Sequence, residues 1–214
     1  MIYRKLIKPL FDFLISLLFL IILLPFLILI AVIIKIDSRG SILFKQKRLG
    51  KDEKEFMVYK FRTMRIKKYE LETDKQRITK IGYYLRKLSI DEFPQLINIL
   101  KGEMSFIGPR PLYSKYLPYY TARERLRHTV RPGISGLAQV GGRSWLTWDE
   151  QFEIDAQYVE KISFLLDISI FLQTIPKVIY SKNVLVDRRV DNTNFIKHRK
   201  NKMDESYDAK NNNK

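Results

Sequence analysis

The chain has 214 residues, a formal net charge of +16 and a pI near 9.9. It is long enough for one modest domain with an appendage, and its charge calls for anionic partners: phosphates, nucleic acid or acidic lipid. With no cysteine it can form no disulfide, thiol nucleophile or thiolate metal site, and two histidines, His128 and His198, leave little room for imidazole chemistry.

From Phe13 to Ile34 about 22 residues carry no charge, which as a helix would reach roughly 33 Å, enough to cross a bilayer core. The flanks argue against a simple span. Arg4, Lys5 and Lys8 precede the run, and Lys35, Arg39, Lys45, Lys47 and Arg48 follow it. Cationic flanks stay on the cytoplasmic side, so clusters at both ends are satisfied only if both ends remain there. Pro25, near the middle, removes a helical hydrogen bond and can turn the helix back. Two arms of about 12 residues would each penetrate roughly 18 Å, about one leaflet. The expectation for residues 1–36 is therefore a re-entrant hairpin, with a kinked single span as the alternative.

Next, Ile42-Leu43-Phe44, the turn Leu49-Gly50-Lys51-Asp52 and Phe56-Met57-Val58-Tyr59 suggest a short hairpin dense in basic residues, Lys60 and Arg62 among them. From Arg65 to Lys87 the chain is highly charged. Ile78, Ile81, Tyr84, Leu85 and Leu88 recur at roughly helical spacing, so an amphipathic helix is expected, on the membrane surface or on the domain.

It feeds into Ser89-Ile90-Asp91-Glu92-Phe93-Pro94-Gln95, where two adjacent carboxylates precede an apolar run. Phe93, Leu96, Ile97 and Leu100 would share one helical face, with the helix beginning at Asp91 and Pro94 in its first turn. Asp91 and Glu92 would then lie at the positive end of a helix dipole, a place that attracts phosphate and metal. The same letters also fit an ordinary Ser89-x-x-Glu92 capping box, with no chemistry at all.

In Gly108-Pro109-Arg110-Pro111 two prolines lock the backbone around one arginine, a guanidinium with little entropy to lose on binding phosphate. Tyr113, Tyr116, Tyr119 and Tyr120 suit a headgroup boundary or a core equally. Arg131 to Arg143 is a glycine-rich loop bounded by two arginines; it lacks the spacing of a nucleotide P-loop. An acidic then apolar helical pair follows from Trp148 to Tyr180, its second half buried or interfacial, and residues 191–214 read as a polar, disordered tail.

Five motifs in this order carry a resemblance: Asp37-Ser38-Arg39-Gly40, Lys60-Phe61-Arg62-Thr63-Met64, Asp91-Glu92-Phe93-Pro94-Gln95, Gly108-Pro109-Arg110-Pro111 and Arg131-Pro132-Gly133-Ile134-Ser135-Gly136. Over roughly residues 5–185 the chain resembles the bacterial sugar transferases, and more narrowly the small monotopic phosphoglycosyl transferases. The resemblance implies a mixed α/β, helix-rich membrane protein: a re-entrant helix-break-helix, then a cytoplasmic catalytic domain over residues 37–190. It departs from the family at Leu24-Pro25, where relatives often have serine before the proline, and at Gly141-Gly142-Arg143, where many have Asn-Gly-Arg.

By resemblance, Asp91 attacks the sugar-linked phosphorus of a UDP-sugar, expels UMP and forms an acyl phosphate that polyprenol phosphate (undecaprenyl phosphate) then attacks. Glu92 would hold Mg²⁺ with Asp91 or take a proton from the acceptor. Lys60, Arg62, Arg86, Arg110, Arg131 and Arg143 would bind substrate, and Asp155, within Glu153-Ile154-Asp155, would orient an arginine. The implied place is the cytoplasmic face of the bacterial inner membrane, in contact with membrane lipid, as a monomer or homodimer. An N-acetylated amino sugar is the expected donor, with glucose or galactose as alternatives. A different class, a membrane-anchored basic protein binding nucleic acid or anionic lipid, accounts for the charge but gives no reason for the dyad, the rigid arginine turn and the proline-broken apolar run to occur together. No nucleic acid partner is therefore expected.

Overall fold

One 30-residue helix, α1 (Lys8–Asp37), organises the molecule, preceded by a π-helical turn, Tyr3–Ile7. The computed structural model describes residues 2–66, 69–142, 146–179 and 195–200. The helix runs through Pro25 without interruption, so the two separate arms expected there are one element. Over its most apolar 18 residues the mean hydropathy is 3.5 and only 11% are buried within the protein, so most of the helix faces outward with no polar group to offer water.

Its remaining stripe docks along its whole length. Lys8 pairs with Asp167 at 2.6 Å, Asp12 accepts the Phe106 amide at 3.2 Å, and Phe19 meets Phe106 edge-on. Leu20 packs on the cluster of Val58, Leu96, Ile99 and Met104, while Ile30 and Ile34 pack with Phe61 and Leu85. At the C-terminal end the Arg62 guanidinium donates to the Ser38 carbonyl at 2.6 Å and to its hydroxyl at 2.8 Å. Cations at this end satisfy orphan carbonyls and complement the helix dipole.

The expected hairpin is β1 (Leu43–Leu49) with β2 (Glu55–Phe61), antiparallel in the register Phe44↔Lys60, Gln46↔Val58 and Arg48↔Phe56. Beyond it, the single amphipathic helix expected across residues 65–87 is two short ones, α2 (Asp74–Arg77) and α3 (Lys80–Lys87). Ile78 between them bridges to Met64, and Thr79 caps α3 by accepting the Gly82 amide. A Cβ on Gly82 would fall 2.0 Å from the Thr63 carbonyl oxygen, so α3 can lie against the backbone after β2 only through glycine.

Next come α4 (Gln95–Leu100) and β3 (Ser105–Ile107), then α5 (Ala122–Arg125) and β4 (Gly133–Ser135), which pairs parallel with β3. A Cβ on Gly133 would come within 2.1 Å of the Gly108 amide nitrogen, and one on Gly136 within 2.2 Å of the Gly108 carbonyl oxygen. These glycines are spent on close backbone packing. The chain continues through α6 (Leu137–Gly141), α7 (Trp148–Lys161) and α8 (Phe164–Ile179). Asp167 and Ile170 anchor α8 inward, while Leu165, Leu172 and Ile179 on it are exposed.

The tyrosine cluster is core: Tyr116 and Tyr120 are buried with Leu49, Leu112 and Phe152, and Trp148 packs against them. Part of the stretch expected as a polar tail joins them. Residues 195–200 are helical, Phe195 is fully buried in that cluster, and the buried Arg199 pairs with Glu124 and with Asp149. Phe195→Ala should therefore cost about 3–5 kcal/mol, read by chemical or thermal unfolding; an unchanged midpoint would mean that this segment does not dock.

Candidate functional site

The dyad lies where α3 is made to stop. Ser89 takes φ 56°, in the left-handed region that non-glycine residues rarely adopt. It is tied on both sides: its amide donates to the Arg86 carbonyl at 3.1 Å, and its carbonyl accepts the Glu92 amide at 3.2 Å. Ile90–Glu92 then form a 3₁₀ turn. An α-helix beginning at Asp91 was expected, and Pro94 is why it does not form. Proline has no N–H for the Ile90 carbonyl, and its ring would press on that oxygen. The Phe93 amide takes the Ile90 carbonyl at 3.1 Å, and α4 starts only at Gln95. The Ser89 side chain makes no cap bond, so the capping-box alternative is not the arrangement adopted.

The strand and the turn are held in register by Asn98, which is fully buried. Its Oδ1 accepts the Tyr59 amide at 3.1 Å and its Nδ2 donates to the Met57 carbonyl at 2.7 Å. This brings Lys60 of β2 onto the dyad, its Nζ 2.5 Å from Glu92 Oε1. Arg110 approaches the same oxygen at 3.8 Å. Arg86 donates to Thr63 Oγ1 at 2.8 Å and exerts its charge on Asp91. The Asp91 carboxyl is pushed up to about 6, chiefly by burial and further by the neighbouring Glu92, while Lys60, Arg86 and Arg110 oppose the rise. Asp91, Glu92, Lys60, Arg86 and Arg110 thus come together.

The other residues expected here do not converge on the dyad. Arg62 is spent on the end of α1. Arg131 lies over Gly102, beyond the C-terminal end of α4 and so the end away from Asp91. Arg143 falls outside the described residues. Asp155 is buried behind the site and pairs with Arg127, also buried, at 3.0 Å. Arg127 in turn donates to the Arg110 carbonyl at 2.6 Å. Asp155 therefore supports the arginine turn through an intermediary, at a distance from any substrate; burial pushes its carboxyl up to about 6 against the pull of Arg127.

A pocket opens beside the dyad, lined among others by Gln46, Arg48, Lys60, Glu92, Gln95 and Arg110. Arg48, one of the cations that flank the apolar run, and Gln46, Gln95, Asn98 and Arg127 carry no expectation of a site role from spacing. Strand alternation was the available signal: in this register Gln46 and Arg48 share a face with Lys60. For metal, Asp91 and Glu92 are the acidic groups at the site; among the described residues no cluster of three or more candidate ligands occurs. Two carboxylates fit Mg²⁺, which takes its remaining ligands from phosphate and water.

The bacterial sugar transferase family model matches residues 3–181. The chain is similar to the uncharacterized sugar transferase EpsL of Bacillus subtilis, 46% identical over 71% of this chain and 77% of the relative. It is similar to the undecaprenyl-phosphate glucose phosphotransferase of Komagataeibacter xylinus, 41% identical over 82% of this chain and 36% of the relative. A third relative is the UDP-N-acetylgalactosamine-undecaprenyl-phosphate N-acetylgalactosaminephosphotransferase of Aeromonas hydrophila, 38% identical over 72% and 39%. The chain thus spans well under half the length of the latter two and most of the first.

The raised Asp91 value fixes the sign of a stability effect. Between about pH 4 and pH 6 the folded protein keeps a proton that the unfolded chain has released, so stability falls as pH rises through that window. Asp91→Asn removes the effect. In chelator-containing buffer the variant should gain stability relative to wild type from about pH 4 to pH 7, by up to about 3 kcal/mol. A difference that stays constant with pH in thermal unfolding would contradict this.

Proposed function

The chain belongs to the bacterial sugar transferase family and is a phosphoglycosyl transferase; on that premise we propose that it moves a sugar 1-phosphate from a UDP-sugar to polyprenol phosphate, releasing UMP through an aspartyl intermediate. The observation that carries the reading is Asp91, half-buried beside Glu92 with Lys60, Arg86 and Arg110 acting on it, next to a cationic pocket lined by Lys60, Glu92 and Arg110.

An Asp91 carboxylate oxygen forms a bond to the sugar-bearing phosphorus as the bond from that phosphorus to the bridging oxygen breaks. The electron pair stays on that oxygen, now a terminal oxygen of UMP. A polyprenol phosphate oxygen then attacks the same phosphorus and frees Asp91. A covalent step lets two bulky and unlike substrates use one site in turn. Lys60 and Arg110 screen the charge gathered on the phosphoryl oxygens, and Glu92, once released from Lys60, would take the acceptor's proton. Mg²⁺ on Asp91 and Glu92 would neutralise donor phosphate oxygens.

The membrane relation follows from how α1 docks. Its N-terminal part meets Asp167 and Phe106, and its C-terminal part meets Phe61, Leu85 and Arg62, all in one folded unit. A helix held at both ends by the same domain cannot carry one end across a bilayer, which supports a monotopic placement with both ends on one face. The outward apolar side chains of α8 extend that membrane face. Positive flanks at both ends favour the cytoplasmic side of the inner membrane. The donor sugar is expected to be an N-acetylated amino sugar, and relatives named for glucose transfer favour a glucose donor as the second reading.

With detergent-solubilised protein, polyprenol phosphate and Mg²⁺, a panel of UDP-sugars should yield UMP from a preferred donor. Asp91→Asn should abolish release, and Glu92→Gln should slow it by roughly 10²–10⁴-fold. In wild type the rate should fall at acid pH as Asp91 gains its proton, with a midpoint below about 6 because bound Mg²⁺ favours the carboxylate. No UMP from any donor in folded wild type would overturn the assignment. A membrane-anchored polyanion binder would instead tolerate Asp91→Asn and lose its ligand as salt rises.

A further inference from the structure

Arg48 is a cation with no obvious purpose in the free protein. Its guanidinium carbon lies over the Tyr113 ring, 3.6 Å from the centroid, and its Nη2 donates to Gln46 Oε1 at 2.7 Å. Gln46 Nε2 donates in turn to the Tyr113 hydroxyl at 3.1 Å, closing a three-residue frame. The frame is anchored in the core, because Tyr113 packs edge-on against Tyr116, which is 1% exposed. Among the described residues Arg48 has no carboxylate partner, and another cation lining the pocket, Arg110, acts on it with like charge. A guanidinium held partly out of water beside a like charge is unfavourable until an anion arrives.

The strand register says which anion. Lys60 faces Phe44 and Arg48 faces Phe56, so along β1 the two cations stand four residues apart on one face, roughly 13 Å between backbones. Lys60 is on Glu92 at the dyad end. Arg110 lies between, touching Glu92 on one side and acting on Arg48 on the other. A diphosphate whose sugar-bearing phosphorus sits at Asp91 would run along this line toward Arg48.

We propose that Arg48 binds the nucleotide-side phosphate of the donor, the one that departs in UMP, and that Tyr113 is the positioning residue that holds it. The inference rests on the transferase reading above. As the phosphorus–oxygen bond breaks, the departing phosphate gains one negative charge, and Arg48 meets it with donors already oriented. A bidentate guanidinium contact of this kind is worth most where charge develops.

The test uses the full chain in detergent with UMP as the probe, in chelator, followed by thermal protection, together with steady-state rates. Arg48→Ala should weaken UMP protection and kcat/KM for the UDP-sugar by roughly 10²-fold, leaving the KM for polyprenol phosphate unchanged. Arg48→Lys, which keeps the charge and the fold, should lose roughly tenfold. Tyr113→Phe keeps the ring and should stay within about threefold of wild type, while Tyr113→Leu should behave like Arg48→Ala. Undiminished UMP protection in both Arg48 variants would overturn the proposal. So would a loss confined to the KM for polyprenol phosphate, which would assign the arginine to the lipid's phosphate. If wild type neither binds UMP nor releases it from any UDP-sugar, the transferase reading falls too; if wild type does both and the Arg48 variants match it, only this inference fails.

Discussion

Lys60 and Glu92 meet at 2.5 Å across the seam between the hairpin and the turn that carries Asp91, and much of the structure serves to hold that seam closed. Asn98 ties α4 to the Met57 and Tyr59 backbone, three and one residues from Lys60. Ser89 and Pro94 confine the dyad to a short 3₁₀ turn, so neither carboxylate is drawn into regular helix. Behind, Asp155 and Arg127 fix the Arg110 carbonyl, and with it the rigid turn that aims a second cation at Glu92. Removing either partner of the buried Asp155–Arg127 pair would leave an uncompensated charge, which is why such a pair can hold a turn so firmly.

The same packing joins the active region to the membrane helix. The cluster of Val58, Leu96, Ile99 and Met104, which supports β2 and α4 from below, receives Leu20 of α1 as well. Phe61, at the end of the strand that bears Lys60, packs with Ile30 and Ile34. A helix whose outer side is apolar and exposed thus forms part of the wall on which the dyad rests.

Much of the site was legible in the sequence because its residues are local: Asp91 and Glu92 are adjacent, and two prolines mark Arg110. The hairpin was legible from alternation and a glycine turn. What escaped were effects that spacing does not encode. Arg62 and Arg131 stand in motifs beside Lys60 and the glycine loop, yet one guanidinium turns to the end of α1 and the other to Gly102. Asp155 was read as orienting a site arginine, and its partner is Arg127, a residue no motif singled out. Helical periodicity across residues 65–87 hid a break at Ile78, which leaves the helix to bridge Met64. Phe195 lay in a stretch too polar to suggest a core residue, because one aromatic contact does not alter composition.

The most direct measurement is the intact mass of the protein after incubation with its UDP-sugar and Mg²⁺ in the absence of polyprenol phosphate. Expected is a gain of one sugar phosphate on wild type, mapped to Asp91, matched by one equivalent of UMP and discharged when the lipid acceptor is added. UMP formed only when the acceptor is present, with the protein mass unchanged throughout, would contradict the covalent role of Asp91 and replace it with direct attack by the acceptor.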